Sequence, residues 1–163
     1  MQKIIRVNEE KNEILNDLSA DCYVLSDNLS DDFCSKFINM ARTQDKIVLF
    51  YGESAVKICK KYDADGVITD FGADDLKNKM SALKQELGKN KYIGLFTRNR
   101  RHESMLVSEV EPDFIVFKVW KDGFLQVQEL VNWYNEFFLI QSAVWVMDEG
   151  VDISSLKADF VIE

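Results

Sequence analysis

Four times along this chain an Ala-Asp or Pro-Asp step runs directly into an apolar segment rich in β-branched and aromatic residues. The four phrases are Ala20-Asp21-Cys22-Tyr23-Val24, Ala64-Asp65-Gly66-Val67-Ile68, Pro112-Asp113-Phe114-Ile115-Val116 and Ala158-Asp159-Phe160-Val161-Ile162. Their Asp residues lie 44, 48 and 46 positions apart. A second series starts on lysine, at Lys3-Ile4-Ile5, Lys46-Ile47-Val48 and Lys91-Tyr92-Ile93, spaced 43 and 45. Two interleaved series with nearly one period describe a chain of repeated strand pairs, and self-similarity at such a period constrains the fold before any single residue does.

The strands expected from these runs cover 3–7, 22–26, 46–51, 66–70, 92–97, 114–118, 142–147 and 159–162. Several are apolar at consecutive rather than alternating positions, as parallel strands covered on both faces are. Helical periodicity falls between them, at 9–19, 31–43, 53–62, 74–87, 101–110 and 124–136, with a short turn at 151–157. Ser30-Asp31-Asp32 and Ala73-Asp74-Asp75 read as N-caps with acidic first turns, and Gly88 as a helix stop. Strands alternating with helices make βαβ units in an α/β fold. Four such double units favour a small, degenerate (β/α)8 TIM-type barrel lacking the last helix, with residues 1–163 as a single domain, because alternate strands of a closed barrel supply equivalent inward layers. An open doubly wound parallel sheet is the alternative. The repeated Asp reads as a turn residue at the barrel's lower end, where repetition serves stability.

Composition narrows the partners. The net charge is −8, which disfavours nucleic acid. No apolar run reaches the ~18 residues of a membrane span, and the charged N-terminus lacks a signal-peptide core, so a cytoplasmic protein without a membrane partner is expected. Cys22, Cys34 and Cys59 are odd in number with no CxxC spacing, and read as reduced thiols.

The stretch Lys46-Ile47-Val48-Leu49-Phe50-Tyr51-Gly52, with Ala64-Asp65-Gly66-Val67-Ile68, Tyr92-Ile93-Gly94-Leu95-Phe96-Thr97-Arg98 and Pro112-Asp113-Phe114-Ile115-Val116-Phe117, resembles the thiamine phosphate synthase family and its thiazole tautomerase relatives. Asn132-Trp133-Tyr134-Asn135-Glu136-Phe137-Phe138 resembles a divergent branch found in alphaproteobacteria. The resemblance implies a transferase of thiamine biosynthesis that needs Mg²⁺ and joins a pyrimidine pyrophosphate to a thiazole phosphate. Most of the positions it implies are altered here. The polar set on the second strand falls on Tyr23, Leu25 and Asp27; the third-strand pair falls on Tyr51 and Gly52; the fourth-strand His falls on Ile68. The phosphate cradle after the seventh strand falls on Val146-Met147-Asp148-Glu149-Gly150. A pyrophosphate needs cations and free N–H groups, which that loop does not offer. The resemblance therefore implies a pseudoenzyme that acts as a binding or interaction protein; the alternative is a thiamine-pathway enzyme, or a relative acting on a small phosphorylated heterocycle.

Three constellations remain as site candidates, and no catalytic residue or metal ligand is assigned. Arg98, Arg100 and Arg101, beside His102, form the densest basic cluster and follow the fifth strand, so they are the candidate anion site, against a solvated helix start. Asp70, Asp74 and Asp75 suit a hard cation or simple helix capping. Asp148 and Glu149 follow the seventh strand as candidate acid–base groups. A homodimer is expected, on the ground that Val161, Ile162, Ile4 and Ile5 would lie uncovered without an eighth helix.

Overall fold

Each of the eight apolar runs extends into a strand, and each pairs in parallel with the next. The computed structural model describes residues 1–163. Strands β1 (Gln2–Val7), β2 (Cys22–Ser26), β3 (Ile47–Tyr51), β4 (Gly66–Thr69), β5 (Tyr92–Phe96), β6 (Phe114–Val119), β7 (Gln141–Val146) and β8 (Phe160–Ile162) close into a barrel, with β8 beside β1. Five helices follow β2 to β6: α1 (Asp31–Thr43), α2 (Ala55–Tyr62), α3 (Leu76–Leu87), α4 (Arg101–Glu109) and α5 (Phe124–Phe137). The fold is a small (β/α)8 TIM-type barrel, and the open-sheet alternative is ruled out by the β1–β8 pairing at Gln2–Phe160 and Ile4–Ile162.

Burial follows the sequence pattern. In α1, Phe33, Cys34, Phe37, Ile38 and Ala41 recur at three- and four-residue intervals on the face against the sheet. Ser30 caps that helix by accepting the Phe33 N–H at 3.2 Å. One core of 34 buried residues fills the space between strands and helices, and a second of nine lies inside the barrel.

Register sorts the inward side chains into level sets of four from alternate strands. Val24, Ile68, Val116 and Ile162 form one such set, each 0% exposed. Below it stand Ile4, Leu49, Gly94 and Ala143, then Cys22, Gly66, Phe114 and Phe160. Above it stand Arg6, Tyr51, Phe96 and Trp145. Gly66 is required where it stands, since a Cβ there would lie 2.2 Å from the Tyr92 carbonyl oxygen.

The repeated Asp is a staple at the lower end of the barrel. Asp65, Asp113 and Asp159 accept the backbone N–H of Val48, Ile93 and Ser142 at 2.8, 2.7 and 2.8 Å, while their own N–H groups donate to the carbonyls of the same three residues. Each carboxylate thus serves an N–H at the start of a strand where the neighbouring strand has not yet begun. Asp21, the fourth of the series, departs: its side chain is 99% exposed and meets only Lys46.

One expected helix does not form, and the short piece expected at 151–157 makes a turn without a helix. Residues 9–19 give only a 3-10 turn over Asn12–Asn16; the stretch holds Asn12, Asn16, Asp17 and Ser19, all residue types of low helix propensity. Residues 151–157 are irregular; Asp152 accepts the Ser154 N–H at 3.0 Å in a local turn. These segments nonetheless cover the strands beside them. Leu18, Leu156 and Ala158 are buried in the same core as Val7 and Val161, and Asn132 of α5 pins the second segment by accepting the Lys157 N–H at 2.8 Å. Ile4 and Ile162 turn into the barrel, and Val161 is 5% exposed. Of the strip that motivated a dimer, Ile4, Val161 and Ile162 are therefore covered within one chain, and Ile5 is half-buried. No helix is long and apolar enough to cross a membrane.

Candidate functional site

A (β/α)8 barrel builds its sites from the upper ends of the strands and the loops that follow them. Here that end is a cavity of about 450 Å³ above the sealed layer of Val24, Ile68, Val116 and Ile162. Its wall is the level set Arg6, Tyr51, Phe96 and Trp145, with Lys118 one step higher. Trp145 is the hub. Its ring centroid lies 4.8 Å from that of Tyr51 and 5.2 Å from that of Phe96, and the Arg6 guanidinium sits 5.0 Å above its face. Lys118 Nζ lies 5.0 Å from the centre of the Phe96 ring. Lys118 is paired in register with Trp145, so both side chains point inward.

Neither Arg6 nor Lys118 forms an ion pair. Both are half-buried, and both rest on aromatic faces, which attract cations without neutralising them. The carboxylates of the mouth are Glu53, exposed at its edge, and Asp70. Asp70 is already engaged, accepting the Gly72 N–H at 2.9 Å and pairing with Arg98 at 3.3 Å.

The loops around the mouth are tied to one another. Asp27 accepts the Ser54 N–H at 2.9 Å, and only glycine fits at 52, where a Cβ would lie 2.3 Å from the Asp27 carboxyl. Asn99 donates to the Lys118 carbonyl at 2.8 Å. Asp148 accepts the Lys121 N–H at 2.8 Å, which joins the loops after β6 and β7.

The candidates from sequence distribute unevenly over this frame. Arg98 and Arg100 line a shelf of about 370 Å³ that shares Asp70, Phe96 and Lys118 with the mouth. Arg101 leaves the cluster: its guanidinium stacks 4.8 Å from the Trp133 ring on α5. His102 is exposed on α4. Asp70 reaches the mouth, but Asp74 is exposed, and Asp75 adopts a left-handed φ of 54° and accepts from the Asn78 amide at 2.8 Å instead of capping a backbone N–H. No three acidic, thiol or imidazole side chains converge as metal ligands. Asp148 is a loop tie and Glu149 is exposed. Burial, with Asp65 and Asp21 nearby, pushes the Cys22 thiol up to about 12; burial pushes Cys34 up to about 11. Both thiols stay protonated at neutral pH.

Sequence reasoning gave no site role to Arg6, Tyr51, Phe96, Lys118 or Trp145. The signal was present: Arg6, Tyr51, Phe96 and Trp145 are 45, 45 and 49 positions apart, the repeat's own spacing.

Comparison with known proteins bears on the fold. No family model matches the chain, and no curated protein matches it. Among solved structures it is similar to 3-hexulose-6-phosphate synthase, with 16% identity and a TM-score of 0.64 over 100% of this chain and 89% of that one. It is also similar to tryptophan synthase from M. tuberculosis, with 11% identity and a TM-score of 0.67 over 99% and 82%. Orotidine 5'-monophosphate decarboxylase from Sulfolobus solfataricus gives 15% identity and a TM-score of 0.64 over 100% and 88%. None of these is a thiamine phosphate synthase, and the resemblance to that family is not upheld. The matching phrases are those of the barrel repeat: they mark strand starts and inward layers, which any such barrel needs, and they carry no chemistry of one family.

Proposed function

We propose that the barrel mouth binds a small anionic molecule with a flat apolar body, and that the anion is a phosphate ester. The observation that carries this reading is the pair Arg6 and Lys118, two cations without carboxylate partners, held on the aromatic layer of Tyr51, Phe96 and Trp145. Half-buried like charges in one cavity are costly until an anion joins them, and guanidinium and ammonium groups both match phosphate oxygens. The aromatic layer supplies flat contact area for the rest of the molecule. Arg98 and Arg100 on the adjoining shelf add positive potential at the entrance, where it steers an anion inward. Two of the similar barrels carry names that specify phosphate esters, which agrees with this chemistry without deciding it.

Catalysis is the second reading, and Asp70 favours it, since its carboxylate lines the same cavity as Lys118. An acid or base within reach of a bound ester is the minimum for proton transfer. Titration calorimetry with inorganic phosphate and with phenyl phosphate tests the binding. Phenyl phosphate is expected to bind more tightly than phosphate, and Lys118→Ala and Arg6→Ala are each expected to weaken it by about tenfold or more, the value of one charge-assisted hydrogen bond. Equal affinity in wild type and both variants refutes the site. If turnover of a bound ester is found, Asp70→Asn should abolish it while leaving affinity in place.

A further inference from the structure

A hollow larger than the mouth lies elsewhere in the molecule. It opens at the opposite end, where the strands begin, and encloses about 600 Å³. The sequence explains why this end is unfilled. The two inward layers nearest it hold Cys22, Gly66, Gly94 and Ala143 among their eight positions, where barrels commonly place bulky branched residues. Phe114 leans over Gly94, where a Cβ would lie 2.4 Å from its ring. Tyr92 lines the opening and is 46% exposed. The hollow runs up to Ile4 and Leu49, with Ile47 and Phe160 along its sides.

We infer that this lower chamber binds an uncharged, largely apolar small molecule with a hydrogen-bonding end. The volume falls within the few hundred to ~1,000 Å³ of small-molecule sites, and the walls are apolar with polar groups confined to the opening. Gln2 and Gln141 stand at that opening, and their side-chain amides have no hydrogen-bond partner in the chain. The charged groups there are Asp21, Asp113 and Lys3, and Lys3 is committed to Glu163 at 2.9 Å. Asp21 pairs with Lys46 and the Asp113 carboxylate accepts the Ile93 N–H, so no free cation is left at the opening to hold an anion; this ligand differs in kind from the one proposed for the mouth, and the two sites stand or fall separately.

The probe is N-phenyl-1-naphthylamine, an uncharged dye whose fluorescence rises on leaving water. Wild-type protein is expected to bind one dye per chain saturably, and the dye is expected to slow labelling of Cys22 by N-ethylmaleimide, read by mass spectrometry. Cys22 is the thiol that lines the chamber, so its protection reports occupancy without any substitution. Cys22→Phe, with an unchanged circular dichroism spectrum, is expected to lose dye binding. No saturable binding, binding without protection of Cys22, or displacement of the dye by phenyl phosphate would each overturn the inference. So would light scattering that shows a dimer whose formation expels the dye, since that result gives the chamber to a second copy of the chain.

Discussion

Replacing Asp65 by alanine should destabilise the barrel by about 1.5–2 kcal/mol, the lower part of the range for a hydrogen bond to a charged group. The value follows from the geometry. The Asp65 carboxylate accepts the Val48 N–H at 2.8 Å, and Val48 is 1% exposed, so water cannot easily take the carboxylate's place. Asp65 itself is half-buried, which keeps the estimate from the top of the range. Asp65→Asn retains an acceptor oxygen without the charge and should recover about half the loss. The internal control is Asp21→Ala. This residue occupies the equivalent place in the repeat, yet its exposed carboxylate accepts no backbone N–H and reaches Lys46 only at 3.4 Å. An exposed ion pair of that kind is worth about 0–1 kcal/mol. Urea unfolding of the four proteins, with the slope held equal, reads the differences directly. In thermal unfolding the Asp65→Ala loss corresponds to a Tm lowered by roughly 3–8 °C for a chain of this length. Equal midpoints for Asp65→Ala and Asp21→Ala would refute the staple and return all four Asp residues to the status of ordinary turn residues.

Arg101→Ala should leave phenyl phosphate affinity unchanged and lower stability by about 0.5–1 kcal/mol, because its guanidinium packs on Trp133 and not in the mouth; a weakened affinity would show that the three arginines act together after all. Tyr134→Phe should cost about 1 kcal/mol in urea, since the buried hydroxyl bonds Ser108 at 3.1 Å; an unchanged midpoint would mean that the hydroxyl contributes nothing net. Acid should weaken the protein through Asp31 and Asp63, whose carboxyls are held below the ordinary range by hydrogen bonds from Lys61 and Tyr62 and from Lys91 respectively. A depressed folded-state pKa gives stability that is complete above the unfolded value, near pH 4, and is lost as pH falls through the folded one. The double variant Asp31→Asn, Asp63→Asn should therefore show a shallower stability loss below about pH 4, and an unchanged slope would rule these pairs out.

Much of this molecule is legible in its sequence, because strands, helices and their order are set by local pattern. The runs at 22–26, 46–51 and 92–97 are short, apolar and β-branched or aromatic, and they form strands at Cys22–Ser26, Ile47–Tyr51 and Tyr92–Phe96. The three- and four-residue spacing of Phe33, Cys34, Phe37, Ile38 and Ala41 makes α1 a helix with one buried face. The double repeat carried the closed barrel, since equal spacing of alternate strands is what level inward layers require. Local pattern misled in 9–19, where Asn12, Asn16, Asp17 and Ser19 are weak helix formers and only one 3-10 turn survives.

The site could not be read in the same way. Arg98, Arg100 and Arg101 are adjacent in sequence, but a helix start turns successive residues in different directions, so Arg101 goes to Trp133 while the other two face the shelf. Arg6 and Lys118 are far apart in sequence and look like isolated charges in apolar strands, yet inward orientation brings both into one cavity. The two ends of the barrel divide by the same rule. Whether a given strand residue faces the interior follows from alternation, which the sequence sets. What stands level with it follows from the stagger between strands, and that is fixed only when the sheet closes on itself and β8 pairs with β1.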